Sequence, residues 1–368
     1  MVDAQLVARA KALIDDLSKT PRFAGSAEEG LARARCRAEL ESAGFTCREI
    51  PFDYSQWLGR WGPPFLSFAL AIVLVALGQL TLTGTRFAGL FAIVAMNAVV
   101  RISSGPIRFG WILSFPWSRA ASTNLEAKRG EPVLWLLAHL DTKSQTVPML
   151  LRIFGAVALQ LAGILVFGGT LAFLIWGRRM TPVIVAGQLL AAVGALGVGL
   201  CFVTNRSPGA VDNASGVAAV ILAAQSERAA SSLGVLITSG EELGLAGALA
   251  WTRTAPEHLV ILNCDTVDEL GSFRCMYTGA QPMRVAVAAE NEANRLGLRL
   301  KIGRLIPGIM ADSMVFADRA RWSAITLSRG TLGTLARIHT RRDNSSVLTG
   351  NGAAQASVLL SALTKELS

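Results

Sequence analysis

Five short stretches of this chain carry side chains that bind metal ions or move protons. They are His139-Leu-Asp141, Asp212-Asn-Ala-Ser-Gly216, Glu241-Glu242, Asn263-Cys-Asp265 and Ile338-His339-Thr340. The chain has three histidines, and two of them fall in this set. The third, His258, stands beside Glu257 at the start of a predicted strand and reads as a bystander. Imidazoles and carboxylates are ligands that zinc accepts. The set supplies two histidines and several carboxylates, and leaves one carboxylate over to act as a base. In extended chain a His two residues before an Asp shares its face, which places Asp141 to orient the His139 ring. Each stretch also has a plain structural reading. Asp212 or Ser215 would cap an Ala-rich helix. A second acidic pair, Glu28-Glu29, lies in Ser26-Ala-Glu-Glu-Gly-Leu-Ala-Arg and reads as the solvated first turn of a helix, where the dipole favours acids.

Position separates these readings. Leu233-Gly-Val-Leu-Ile-Thr reads as a buried strand that stops near Gly240 and delivers Glu241 and Glu242 to its C-terminal end, before a Gly-rich turn opens a helix. Pro132-Val-Leu-Trp-Leu-Leu-Ala-His139 is a near-continuous apolar strand of the kind buried on both faces. Further strands are expected over 45–52, 258–265 and 323–328. Helices are expected over 3–18, from Ser26 to about Ser42, after Gly216, over 282–296 and from about Asn344. Strands alternating with helices imply an α/β fold with a mostly parallel mixed sheet flanked by helices. Ligands in such sheets gather outside the carboxyl ends of the strands.

The pattern is broken twice. The chain is 52% hydrophobic and only 17% charged, with a mean hydropathy of +0.44, too apolar for an ordinary soluble enzyme. Pro64–Leu82 is uncharged over about 19 residues, long enough to span a bilayer. Phe87–Val100 is apolar but shorter and contains Asn97. Ile153–Trp176 and Pro182–Val203 are longer, uncharged and rich in Gly and Ala, with Gly177-Arg178-Arg179-Met180 between them. The implied organisation is a catalytic α/β domain in three pieces, 1–62, 101–148 and 204–368, interrupted by transmembrane helical hairpins at 63–100 and 149–203. Two crossings per interruption return the chain to its starting side, so all three pieces can meet.

The net charge of +9 comes without a basic helix, zinc-finger spacing or RNP-like strand. It points to anionic lipid headgroups rather than nucleic acid. Five cysteines, odd in number and without a CxxC pair, read as free thiols of a reducing compartment. The N-terminus lacks the apolar core of a signal peptide. Arg60, Arg101, Arg108, Lys143, Arg152 and Arg206 flank the spans on the catalytic side, against Arg86, Arg178 and Arg179 in the hairpin loops. By the positive-inside rule this places a multi-pass protein in the cell membrane with a cytoplasmic catalytic domain.

In their order along the chain, these motifs resemble the co-catalytic zinc aminopeptidases and carboxypeptidases of the bacterial leucyl aminopeptidase type. The resembling pieces are Pro21-Arg-Phe-Ala-Gly-Ser26, Ala138-His-Leu-Asp141, Asp212-Asn-Ala-Ser-Gly216, Gly240-Glu-Glu-Leu-Gly-Leu-Ala-Gly247, Asn263-Cys-Asp265, Ala311-Asp-Ser313 and Ile338-His-Thr340. The resemblance implies two zinc ions bridged by Asp212, one completed by His139 and Asp265, the other by Glu242 and His339. It implies that Glu241 is the general base toward a metal-bridging water, that Asp141 supports His139, and that the Asp212–Asn213 peptide is cis, a geometry rare outside proline. The implied reaction is hydrolysis at a peptide or protein terminus, of the aminopeptidase kind. Three departures stand out. Roughly 70 residues separate the His-x-Asp and Asp-Asn motifs, where a short loop is usual. Ala248 replaces a frequent Ser. The segment Thr340-Arg-Arg-Asp343 is unusually basic, with arginines that read as solvated or lipid-facing, or as binders of a substrate carboxylate.

A serine hydrolase is excluded by the absence of a Gly-x-Ser-x-Gly elbow. A transporter is disfavoured because the predicted spans lack an ionisable residue at mid-depth. Two alternatives stay open: an inactive membrane scaffold or receptor of the same fold, and a single-zinc acyl transferase of the glutaminyl-cyclase kind. Oligomeric state leaves no mark on the sequence.

Overall fold

The protein is described from a computed structural model over residues 2–85, 87–108, 110–226, 232–306, 308–317 and 322–367. Two helices, α1 (Ala4–Leu17) and α2 (Ala27–Ser42), lead into β1 (Thr46–Ser55). Two long helices follow, α3 (Gln56–Leu82) and α4 (Ala88–Arg108), then the short α5 (Trp111–Ser114). Next come β2 (Arg119–Arg129), β3 (Leu134–His139) and β4 (Ser144–Gln145), a second long pair, α6 (Met149–Trp176) and α7 (Thr181–Gly199), and β5 (Val203–Thr204). The rest alternates: α8 (Ser215–Ser226), β6 (Leu233–Thr238), α9 (Ala246–Trp251), β7 (Leu259–Val267), β8 (Phe273–Tyr277), α10 (Met283–Arg295), β9 (Leu300–Arg304), β10 (Trp322–Arg329), α11 (Leu332–Arg337) and α12 (Asn351–Leu367).

Eight strands form one mixed sheet in the order β1-β2-β6-β3-β7-β10-β8-β9. Its centre, β6-β3-β7-β10, is parallel, and so is the β8-β9 edge pair. The pairings β1-β2, β2-β6 and β10-β8 are antiparallel. The sheet is therefore parallel chiefly where the metal-ligand motifs leave it. Gly234 shows how closely the centre packs: a Cβ there would lie 2.2 Å from the Trp135 ring. Helix α8 follows the Asp-Asn motif and is buried along its whole length except Ser226, which its Ala, Val and Ile composition permits. Strands β2, β8 and β9 were not expected. Arg119-Ala-Ala-Ser-Thr-Asn has little strand preference of its own and owes its conformation to pairing with β1 and β6. The last helix begins at Asn351 rather than near Asn344. The Glu269 carboxylate accepts hydrogen bonds from the Thr349, Gly350 and Gly352 N–H groups, at 2.8 to 2.9 Å, and serves the unpaired donors of that N-terminus.

The two interruptions share one construction. Ser55 and Arg119 are paired across β1 and β2, and everything from 56 to 118 replaces what would be a hairpin turn. Ser144 and Gln145 pair with Thr204 and Val203 in a separate two-stranded ribbon, and α6 and α7 replace that turn. An antiparallel pair delivers both chain ends to one place, which a helical hairpin requires. The first insertion accordingly starts at Gln56, before the expected 63. Ser55 caps α3, accepting from Leu58 N at 3.4 Å, and the helix runs on through Pro63 and Pro64. Its partner α4 extends beyond the expected Val100 to Arg108.

Among the described residues, three helices, α3, α6 and α7, are long and apolar enough by length and composition to cross a membrane. The apolar part of α4, Ala88–Val99, is shorter. Large apolar side chains such as Ile72, Ile164, Leu171 and Leu189 point outward, while small residues face each other. A Cβ on Gly155 would lie 3.0 Å from Gly197 Cα, and one on Gly194 would lie 2.7 Å from Gly155 O. Such contacts let helix backbones approach closely. Thr81 and Thr170 hydrogen-bond between α3 and α6 at 2.9 Å. A Cβ on Gly84 would meet the Arg179 guanidinium, so the tips of the two hairpins lie side by side. Arg86 lies outside the described residues.

Gly155→Leu is expected to force α6 and α7 apart. It should lower the unfolding midpoint of the detergent-solubilised protein, by the equivalent of about 1–3 kcal/mol for overpacking. Thermal unfolding followed by tryptophan fluorescence measures this, and an unchanged midpoint would contradict the glycine contact.

Candidate metal centre

The parallel strands carry the site at their C-terminal ends. His139 ends β3, Glu241 and Glu242 follow β6, Asp265 lies near the end of β7, and His339 follows β10 through α11. Asp212 sits in the kinked turn before α8. All seven residues singled out for chemistry, Asp141 included, are buried. His139, Asp212 and Asp265 form one triad and Asp212, Glu242 and His339 another, with the ligand atoms of each within 4.8 Å of one another. Asp212 belongs to both. Its Oδ1 lies 3.2 Å from His139 Nε2, and its Oδ2 3.0 Å from His339 Nε2. His139 Nε2 is also 3.5 Å from Asp265 Oδ1, and His339 Nε2 is 3.1 Å from Glu242 Oε1. Glu241 belongs to neither triad but lines the same cavity.

The backbone around these ligands is held by side chains. The Asp212–Asn213 peptide is cis. Asn213 Nδ2 donates to Cys264 O at 3.0 Å, and its Oδ1 accepts from Gly216 N and Thr266 N, both at 3.1 Å. Ser215 Oγ donates to Val211 O at 2.7 Å and accepts from Val267 N at 3.0 Å. A Cβ on Gly216 would sit 2.2 Å from Asn213 Oδ1, so only glycine fits there. The Asp-Asn-Ala-Ser-Gly motif thus ties the start of α8 to β7. His339 has φ of 62° and Thr266, beside Asp265, has φ of 58°. Both are in the left-handed region that non-glycine residues seldom occupy outside functional sites.

Asp141 meets His139 chiefly through its main chain. His139 Nδ1 is 3.0 Å from the Asp141 main-chain carbonyl, while Asp141 Oδ1 is 3.7 Å away. The Asp141 carboxylate instead accepts from Glu241 N at 3.1 Å and Glu242 N at 3.2 Å. It orders the acidic pair, and its carbonyl orients the histidine. The residue after Gly240 needs such an acceptor because the strand ladder has ended there. The reading of Glu29 is corrected. It is fully buried rather than solvated, accepting from Gly25 N at 2.7 Å and Ser122 Oγ at 3.2 Å. Burial, reinforced by the nearby Asp141 charge, pushes its carboxyl up to about 7.

Four further residues carry the site without having been assigned a role in it. Arg22 is fully buried, and its guanidinium donates to the carbonyls of Leu17, Leu140, Pro208 and Gly209. It binds the loop after His139 to the loop before Asp212. The signal was present in Pro21-Arg-Phe-Ala-Gly-Ser26, but its target was not. Asp343 is fully buried and accepts from Val211 N at 2.6 Å and Asp212 N at 3.2 Å. The neighbouring Arg341 and Arg342 are exposed and do not line the cavity that Asp212, Glu241 and His339 share. Asp312 accepts from Thr238 Oγ1 beneath the cluster, and burial pushes it up to about 7. Lys143, first counted among membrane-flanking cations, is buried with Nζ 2.6 Å from Glu242 Oε2 and 3.1 Å from Glu242 O.

The electrostatics suit divalent cations. Burial raises the Asp265 carboxyl and raises Glu241 well above the ordinary range, the latter helped by Glu242, Asp265 and Asp312. Burial also opposes charge on Asp212, but hydrogen bonds from His139 and His339 outweigh it and hold that carboxyl low. Glu242 is held at about 2 against burial by His339 and Lys143. Burial would lower His139, yet Glu241 and the carboxylates hydrogen-bonded to it raise the imidazole well above its usual value. Glu242 Oε1 is buried without a hydrogen-bond partner although His339 Nε2 is close. The oxygen is aimed for something other than that N–H. Carboxylate-rich, imidazole-containing triads with an orphaned carboxylate oxygen fit zinc by donor type.

Residues 192–364 match the description Peptidase family M28. This segment, just under half of the chain, is similar to that family. It includes Asp212, Glu241, Glu242, Asp265 and His339, whereas His139 and Asp141 lie upstream of the match. No curated protein matches the chain. Among solved structures, the aminopeptidase from Aneurinibacillus sp. strain AM-1 superposes with a TM-score of 0.58 at 13% identity, covering 97% of this chain and 93% of that one. The zinc aminopeptidase of Bacillus subtilis gives 0.58 at 13%, covering 98% and 95%. Glutaminyl cyclase from Porphyromonas gingivalis gives 0.58 at 12%, covering 98% of each. The fold is the mixed α/β fold of these enzymes. The match to family M28 and the shared fold of these neighbours support a zinc metallopeptidase type of function.

Asp343→Ala should free the Val211 and Asp212 N–H groups and loosen the carboxylate shared by both triads. We expect zinc affinity to fall about 10–100-fold with the fold intact, as measured by competition with a chromophoric chelator. Unaltered affinity would show that Asp212 is held by other means.

Proposed function

We propose that the chain is a membrane-anchored, di-zinc metallopeptidase that removes residues from peptide termini, of the aminopeptidase kind. The observation that carries this reading is a single carboxylate, Asp212, offering one oxygen to each of two ligand triads, with Glu241 beside them and in neither. One ion would be held by His139, Asp212 and Asp265, the other by Asp212, Glu242 and His339. Zinc in such a place supplies Lewis acidity to a peptide carbonyl and to an attacking water.

The chain's own residues do the remainder. Glu241 takes a proton from the attacking water on its carboxylate and returns it to the leaving amine. Asp141 fixes the Glu241 and Glu242 main chain, so the base stays close to the cluster without joining it. Ile306, Ile309, Leu332 and Leu335 wall a cavity of about 220 Å³ over the cluster. They exclude water and receive an apolar side chain. Helices α3, α6 and α7 anchor this domain to a bilayer, with a cytoplasmic catalytic side as the orientation we infer from flanking arginines. Lys143 no longer contributes to that count, because it is committed to Glu242. One observation favours the single-zinc acyl-transferase reading: Lys143 already neutralises one oxygen of Glu242, which weakens that ligand for a second ion.

Zinc content and hydrolysis of aminoacyl amides, measured on detergent-purified wild type and Glu241→Ala, decide among these readings. We expect two zincs in both proteins, with the rate of the variant reduced about 10²–10⁴-fold and wild-type activity removed by chelation. One zinc per chain would favour the acyl transferase. A folded protein that takes up no zinc would leave the scaffold.

A further inference from the structure

The catalytic cavity is not alone in reaching Glu242. A second cavity of about 400 Å³ lies against it and shares Lys143, Arg152, Glu242 and Met310 with it. Its walls are the first turns of α3 from Trp57 to Ala69, the end of α7 at Val198, Cys201 beyond it, and the loop at Leu243. Helix α3 touches that loop closely, since a Cβ on Gly59 would lie 2.4 Å from Leu243 O. The two cavities thus meet at the loop that carries Glu242. The second has a volume in the range of small-molecule sites, on the order of 300–1,000 Å³.

The lining selects what fits. Trp57, Pro63, Pro64, Phe65, Leu66 and Ala69 offer rings and aliphatic groups, and the backbone beneath them is helical. At the shared end Lys143 pairs with Glu242 and Arg152 donates to Gln145 Oε1 at 3.2 Å, and the remaining charged group of the lining, Arg60, stands with its guanidinium 5.5 Å from the Phe23 ring centroid. A peptide laid along the apolar walls would leave its N–H and C=O groups without partners, which is costly in such surroundings. A hydrocarbon chain has no such groups. The wall helices α3 and α7 are also two of the three with the length and apolarity to cross a membrane, so the cavity lies where a chain leaving a bilayer would pass to reach the catalytic cluster.

We propose that this cavity is a hydrocarbon-chain subsite, and that the preferred substrates are amides carrying a long unbranched acyl or alkyl chain on one side of the scissile bond. The chain lies between α3 and α7 while the amide sits at the cluster of His139, Asp212 and His339. The reaction is simple hydrolysis. The C–N bond breaks, the water oxygen bonds to the carbonyl carbon, and the proton held by Glu241 passes to the leaving amine. The proposal rests on the metallohydrolase reading above and adds the substrate class to it.

The test uses the full chain, zinc-loaded, in lipid nanodiscs. Two substrate series run from ethyl-sized to dodecyl-sized chains: leucine alkylamides, with the chain on the amine side, and N-acyl leucines, with it on the acyl side. In one series kcat/KM should rise about fourfold per methylene until the cavity is full. Gly62 lines the cavity and a Cβ there meets no atom within 4 Å, so Gly62→Phe is the variant chosen to fill it. There the dodecyl-to-ethyl ratio of kcat/KM should fall toward one, and Ala69→Phe should do the same independently. A readout without turnover is saturable binding of a fluorescent dodecylamine to Glu241→Ala, lost when Gly62→Phe is added. Flat profiles in both series with normal turnover of leucine amide would overturn the subsite and leave the peptidase. The same holds if leucyl peptides with apolar tails gain and the alkyl and acyl chains do not. Gly62-sensitive binding with no amide hydrolysed would keep the subsite and remove the hydrolase reading. Absence of both would remove both.

Discussion

Negative charge confined in a small dry volume is the constraint on which this structure depends. Asp141, Asp212, Glu241, Glu242, Asp265 and Asp312 are all buried around one cavity, with two histidines and Lys143 as the cations among them. Buried carboxylates must be paired, hydrogen-bonded, protonated or bound to metal. The surrounding fold answers each demand separately. Asp141 and Asp343 take backbone N–H groups, Asp312 takes the Thr238 hydroxyl, and Glu242 has Lys143. What remains unanswered is the shared space between His139, Asp212 and His339, and there the donor set matches zinc.

The sheet makes this crowding possible. Parallel strands β6, β3, β7 and β10 release their chain at the same edge, so residues far apart in sequence arrive within hydrogen-bonding distance. Arg22 then closes the arrangement from below, with one guanidinium joining four carbonyls from three segments. Arg is suited to this because its fork of donors stays charged even when burial pushes it down to about 10.

The helical insertions are attached at points that disturb none of this. Each replaces the turn of an antiparallel strand pair, β1-β2 in one case and β4-β5 in the other. Such a pair brings both ends of the insertion together, so the domain's hydrogen bonding continues as though a short turn were there. The second ribbon begins at Ser144, three residues after Asp141, and α3 packs on Leu243, beside Glu242. Apolar helices and candidate metal ligands are therefore neighbours in space as well as in sequence.

Much of this was legible from sequence, and the limits are physical. Strand ends bearing His139, the Glu241-Glu242 pair and Asp265 could be read because buried strands are apolar runs with abrupt polar ends. The long helices could be read because spanning length and absence of charge are local properties. The Asp-Asn-Ala-Ser-Gly motif could be placed but not explained, since its Asn and Ser act on Cys264, Thr266 and Val267, some fifty residues away. Glu28-Glu29 and Glu241-Glu242 are alike as text, yet Glu29 turned out buried because β2 brings Ser122 against it. Lys143 looked like a membrane-flanking cation until the sheet set Glu242 opposite it, and the strand character of β2 exists only through its partners. By itself, then, the sequence determined which residues were able to bind a metal and which segments were able to enter a membrane, because composition and periodicity are properties of the chain. Which carboxylate binds, which one merely holds backbone, and where the helices meet the site were decided by tertiary structure, because each depends on a partner that only the sheet brings within reach.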